Sequence, residues 1–403
     1  MSANLTSRRG LFRTAGAGLA AGALATPARA VEGSALRGTG DLGLIVERAT
    51  GSLLLVETTG RSVLARIEGL GDMSHASLVF DRTERYAFVF GRDGGLTKVD
   101  LLTASIVKRV VQGGNAIGGA ISDDGKLVAV SNYTPGGVRV FDAETLEMVA
   151  DVPAIDARGA ASKTVGLVDL PYRRFVWSLL DGDEMWIGDF TDAKAPKLTK
   201  YPGIGRLPYD GVATSDGHWY IAGLFGEDAL TRLDLWTEGA RPEKVLPGYG
   251  KGEQPLPVYK MPHMEGWGAA GNLLLIPAVG RHEVLAVDRE TFREVGRIPV
   301  HGQPVFCVAR PDGRQVWVNY AHPANDTVEV IDVPSLKVVH SFKPGPAVLH
   351  LEFSPRGHEV WISVRDENRV DVHETRTFAK IASLAAKSPS GIFFTPRAHR
   401  LGV

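Results

Sequence analysis

One phrase returns eight times along this chain, and it constrains the fold more than any other feature. A strand leads into a turn resembling D-x-x-T or D-x-x-S, and a second strand follows. "GGLTKVDLLTASIVKRV" from Gly94, "GGVRVFDAETLEMVADV" from Gly136 and "HEVLAVDRETFREVGRI" from His282 are three of the copies. The others begin at Gly51, Asp183, Asp228, Asp326 and Asn368, so successive starts lie 42 to 54 residues apart. That is the span of a four-stranded propeller blade. Between the copies lies a second phrase, an apolar strand, a turn such as "SDDGK" or "RPDGR", and another apolar strand. Each unit is therefore four antiparallel strands, A to D, whose alternating side chains ("VRVFD", "VEVID") suit sheets packed face to face. The eighth A strand, "SGIFFTP", stands at the C-terminus. Its partners are "LGLIVER" and "GSLLLVE" near the other end, which closes the ring and removes the free sheet edge. The expectation is an all-β chain, a single eight-bladed β-propeller over residues 31–403.

Composition narrows the function classes. Of 403 residues 44% are hydrophobic and 23% charged, with a net charge of -1. That balance gives no reason to expect nucleic acid as a partner. Cys307 is the single cysteine, so neither an internal disulfide nor a C-x-x-C-H haem attachment can form. The N-terminal stretch "SRRGLFRTAGAGLAAGALATPARA" pairs Arg8 with Arg9, continues with Ala, Gly and Leu, and ends in "ARA" at Ala30. It reads as a twin-arginine export signal over residues 1–30, too short and glycine-rich for a membrane span, with a periplasmic destination for the folded protein.

In a propeller the A strands line the channel, and the D-to-A and B-to-C loops share one face. That rule sorts residues. The starts of the A strands supply His75, Tyr209, Asp210, His263, His301 and His350 to this face. The B-to-C loops add Arg48, Arg92, Tyr133, Arg281, His322 and Arg365. Nitrogen ligands in the middle and guanidinium forks around them suit a flat, carboxylate-bearing metallo-macrocycle. The plainer readings remain open: hydrogen-bonded channel histidines, solvated loop arginines, and Tyr133 as turn packing. A zinc centre is disfavoured because the histidines stand on different blades. No G-x-S-x-G elbow and no P-loop occur. The short turns of the other face look regular and carry no signal of their own.

"RATGSLLLVE", "GLGDMSHASLVF", "YAFVFGRDGGLTKVDL", "SNYTPGGVRVFDAETLE" and "SPSGIFFTPRAHRLG" together resemble the haem d1 biogenesis family of the NirF type. That family is similar to the haem d1 domain of cytochrome cd1 nitrite reductase. The resemblance covers essentially all of the chain after residue 30. It implies that His75 is the axial ligand of haem iron and that Arg48 and Arg92 lie against macrocycle carboxylates. It also places Tyr133 in a matching Tyr-x-Pro loop. His263 matches one of two distal histidines; the other position is Tyr209, followed by a matching Asp210. The exchange of a proton-donating histidine for tyrosine argues against nitrite reduction and for another task on the same ligand. The resemblance further implies a late haem d1 precursor as ligand or substrate, bound and then modified by oxidation or handed on. Asp210, His263 and Asp156 (in "AIDARGAAS") are the acid–base residues to consider. Nitrite reductase and other maturation proteins are the implied partners. A protein–protein scaffold or a haem d1 chaperone is the competing reading, and a metal-dependent propeller hydrolase ranks last.

Overall fold

Every repeat folds as its period requires. The computed structural model describes residues 39–252 and 267–400, and these form eight four-stranded antiparallel sheets arranged as the blades of a propeller. The inner strands are Ser77–Phe80, Asn115–Ile121, Thr164–Leu170, Pro208–Ala213, Gly268–Ala270, Pro304–Ala309, Val348–Phe353 and Pro389–Phe394. The last of them pairs with Leu42–Glu47, which continues into Ser52–Glu57 and Ser62–Ile67, so one blade is built from both ends of the chain. The export-signal segment 1–30 and His263 lie outside the described residues.

The recurring D-x-x-T turn has a simple physical cause. Asp142 Oδ1 accepts hydrogen bonds from the backbone N–H of Glu144 (3.0 Å) and Thr145 (2.8 Å) and from the Thr145 hydroxyl (3.0 Å). Asp288 does the same for Glu290 and Thr291. The carboxylate thereby satisfies amides that the tight C-to-D turn leaves unpaired. Middle strands such as Leu42–Glu47 and Gly95–Asp100 are buried along their whole length, because neighbouring blades cover both faces. Outermost strands such as Lys197–Pro202 are mostly exposed and carry the lysines that blunt a sheet edge. Large rings fill the layers between blades. Trp177, Trp186, Trp317 and Trp361 are fully buried, and Trp317 meets Phe342, Phe353 and Phe378 at 5.8–5.9 Å.

The inner strands are irregular where they begin. Two residues oppose one at Gly166–Leu167, Tyr209–Asp210, Leu349–His350 and Ser390–Gly391. Ile117 is an extra residue in Asn115–Ile121. Such bulges interrupt the alternation and re-aim side chains. Here they all fall at the same end of the channel.

Candidate functional site

At that end a cavity of about 360 Å³ opens, lined among others by Arg48, His75, Ile117, Tyr209, Asp210 and His350. His75 lies in the segment leading to Ser77–Phe80 and reaches solvent at the mouth. Arg48 and Arg92 approach it from two neighbouring blades around a shared acid, Asp72. The backbone carbonyl of Asp72 accepts from the Arg92 N–H at 2.8 Å, and its carboxylate accepts from the Ser74 N–H at 2.8 Å. Hydrogen bonds from Ser74 hold that carboxyl below the usual range, with Arg92 and Arg48 adding to the effect.

Burial, and then the charges of Arg92 and Arg48, push the His75 imidazole below its ordinary value. The ring is therefore neutral near pH 7 and has a lone pair to offer. Arg48 is itself pushed down by burial and by the facing charge of Arg365, although a guanidinium stays protonated through such shifts. Neither Arg48 nor Arg92 closes a salt bridge among the described residues. Arg92 instead lies over the Tyr133 ring at 5.4 Å. Tyr133 and Tyr209 share a hydroxyl–hydroxyl hydrogen bond of 3.2 Å, and burial pushes both phenols above their ordinary value. Asp210 lines the cavity beside them and accepts from the Gly211 N–H at 3.0 Å.

Other expected residues do not line this cavity, Asp156 among them. Its carboxylate accepts from the N–H groups of Arg158 and Ala160, both at 2.9 Å, and from the Arg158 guanidinium at 2.7 and 2.9 Å. It closes its own loop and has no lone pair directed at the channel end. Arg281, His301 and His322 are exposed, and Arg365 faces Arg48 at the mouth with its guanidinium bonded to Asp366 at 2.7 Å. Among the described residues no three His, Cys, Asp or Glu side chains converge as a metal site.

Two groups deeper in the channel, Glu352 and Arg397, went unread in the sequence. They meet at 3.2 Å beneath His350, whose Nδ1 accepts from the Ile392 N–H at 3.2 Å. A glutamate inside the apolar run "VLHLEFS" was the available signal. Burial, followed by the charge of Arg397, pushes His350 down to about 3.

The family model described as the cytochrome D1 heme domain matches residues 37–398. The chain belongs to that family. Within it the chain is of the NirF type. Protein NirF of Stutzerimonas stutzeri is 56% identical over 370 residues, covering 91% of this chain and 95% of that protein. Protein NirF of Pseudomonas aeruginosa is 55% identical with 91% and 94% covered. Among solved structures, dihydro-heme d1 dehydrogenase NirN in complex with DHE aligns with a TM-score of 0.79 at 22% identity, covering 92% of this chain and 78% of that one. That likeness shows the shared eight-bladed fold.

The donor set fits a haem-type group. One neutral imidazole stands at the channel mouth, the Arg48 and Arg92 guanidiniums stand around it without a salt bridge to any described carboxylate, and the neutral Tyr209 phenol, bonded to Tyr133, borders the same space.

Proposed function

We propose that this NirF-type protein binds a haem d1-type iron tetrapyrrole, a late biosynthetic precursor, on the His75 face and serves haem d1 biosynthesis for nitrite reductase maturation. The single observation that carries the reading is the neutral His75 between Arg48 and Arg92, neither of which closes a salt bridge among the described residues. Family membership supports the ligand class, and the Arg8–Arg9 signal supports a periplasmic setting. When bound, the tetrapyrrole supplies an iron centre and an oxidisable ring system. The protein's own residues do the rest. His75 offers its lone pair to a metal. Arg48 and Arg92 pair with carboxylates, each by a two-pronged, charge-assisted contact. Tyr133 and Tyr209 hold neutral hydroxyls against the bound molecule, and Asp210 is the group placed to accept a proton there. Asp156, committed to Arg158, takes no part in that chemistry.

The test is an absorption titration of the purified protein with iron-loaded haem d1. A saturable spectral shift is expected. His75→Ala should abolish the shift and weaken binding by about tenfold or more. Arg48→Gln and Arg92→Gln should each weaken binding by roughly tenfold while leaving the band positions unchanged. An unaltered spectrum and affinity in His75→Ala would refute the role of His75 as a metal ligand. No shift with the unsubstituted protein would favour the scaffold reading.

A further inference from the structure

The opposite end of the channel holds a second and larger cavity of about 590 Å³. It lies where the inner strands Pro208–Ala213, Pro304–Ala309 and Val348–Phe353 run out, the face whose short turns looked featureless in the sequence. Four arginines line it, Arg289, Arg310, Arg397 and Arg400, drawn from separate parts of the ring. Glu352 is the one carboxylate among the lining residues, and it is shared with the cavity on the other side.

The guanidiniums are incompletely satisfied. Arg397 bonds Glu352 at 3.2 Å, and Arg310 spends one nitrogen on Asp312 at 3.1 Å. Arg289 lies 3.7 Å from Asp216 and 3.5 Å from Glu290. Arg400 closes no salt bridge among the described residues. The Arg310 Nε–H is buried without a hydrogen-bond partner, and the buried Arg289 Nε–H makes no hydrogen bond and only the longer 3.5 Å ion contact with Glu290. A buried guanidinium donor is ordinarily paired. Ion pairs within and between the blades account for Asp216, Glu290, Asp312 and the Arg289 Nε that faces Glu290, but they leave Arg400 and the Arg310 Nε–H unexplained. Guanidinium forks converging from several directions match a guest with more than one oxyanion group.

We propose that this second cavity is a binding site for a small polyanion bearing two or more carboxylate or phosphate groups. The site opens at the other end of the channel from the tetrapyrrole site, and the Glu352–Arg397 pair lines both cavities.

Isothermal titration calorimetry of the full chain at low ionic strength tests this, with citrate and inorganic pyrophosphate as probes. Saturable binding of at least one probe is expected, and the tighter of the two identifies carboxylate or phosphate as the natural chemistry. Arg310→Gln and Arg400→Gln should each weaken it by about tenfold. The Arg48→Gln/Arg92→Gln double variant should bind the probe as the unsubstituted protein does. Arg400 is exposed, so its variant can be expected to fold, and circular dichroism verifies that. Three results would overturn the proposal: no saturable heat with either probe, unchanged affinity in both Arg310→Gln and Arg400→Gln, or loss of binding confined to the Arg48/Arg92 variant.

Discussion

His75 and His350 are both held neutral, by the same two forces in different proportion. At His75 burial is joined by two arginines at the mouth. At His350 burial dominates and Arg397 adds to it. The second case makes a pH prediction with a definite sign. An unfolded histidine titrates near about 6.5, whereas folded His350 is pushed down to about 3. Between those values the unfolded chain holds the extra proton, so acid favours unfolding. The contribution is intact above about pH 6.5 and is lost as pH falls towards 3, at up to about 1.4 kcal/mol per pH unit. His350→Gln keeps an acceptor for the Ile392 N–H and cannot charge. Denaturant unfolding at pH 7 and pH 4.5 should therefore show a larger acid loss in the unsubstituted protein than in the variant. Equal losses would mean that protonated His350 is accommodated by the fold.

Blade by blade, what aims the site residues is the set of bulges at the starts of the inner strands. Gly166, at φ +60°, sits in one of them. A Cβ there would lie 2.8 Å from the Gly211 backbone nitrogen, in the very strand that carries Tyr209 and Asp210, and 2.8 Å from the Tyr220 hydroxyl in the strand beside it. Gly166→Ala should destabilise the protein by about 1–3 kcal/mol and also weaken tetrapyrrole binding through the displaced bulge. Gly159, at φ +82°, has nothing within 4 Å of its added Cβ. Gly159→Ala should cost about 1 kcal/mol and leave binding alone. Urea unfolding beside the absorption titration separates the two. The blades themselves were legible because the Asp142-type turn writes its hydrogen bonds into the sequence as D-x-x-T. The position of Tyr209 and Asp210 at the head of an inner strand was legible for the same reason. The bulges were not, since one extra residue in "PYDGVA" hardly disturbs an alternating pattern. The orientation of Asp156 was also hidden: loop membership gives a face, but Arg158 two residues on decides where the carboxylate points. On the other face, "RPDGR" read as an ordinary turn, and only the closed ring brings Arg310 near Arg289, Arg397 and Arg400.

The ring as a whole depends on a clasp between residues some 350 positions apart. Phe394 and Trp361 meet edge to face at 5.4 Å across the seam between the last blade and the closing one. The Thr395 hydroxyl donates to the carbonyls of Thr39 (2.7 Å) and Leu42 (3.1 Å). The buried Glu47 carboxylate accepts from the Lys387 N–H at 2.7 Å and from Arg66 at 2.7 and 3.0 Å. Burial pushes Glu47 up, but Arg66, Lys387 and Ser52 together outweigh it and hold the group below its usual value. No covalent link supports this closure, since Cys307 is the chain's single cysteine. Stability of the circle must then come from packing and hydrogen bonds at one seam, while every other blade is held by consecutive strands. Phe394→Ala removes a fully buried ring that also fills the space above Gly43, where a Cβ would touch it. It should cost about 3–5 kcal/mol. Because opening the seam exposes the inner faces of both flanking blades, the loss should appear in a single transition reported alike by tryptophan fluorescence and by sheet circular dichroism. Two separated transitions would instead show that the closing blade frays by itself while the other blades stay folded.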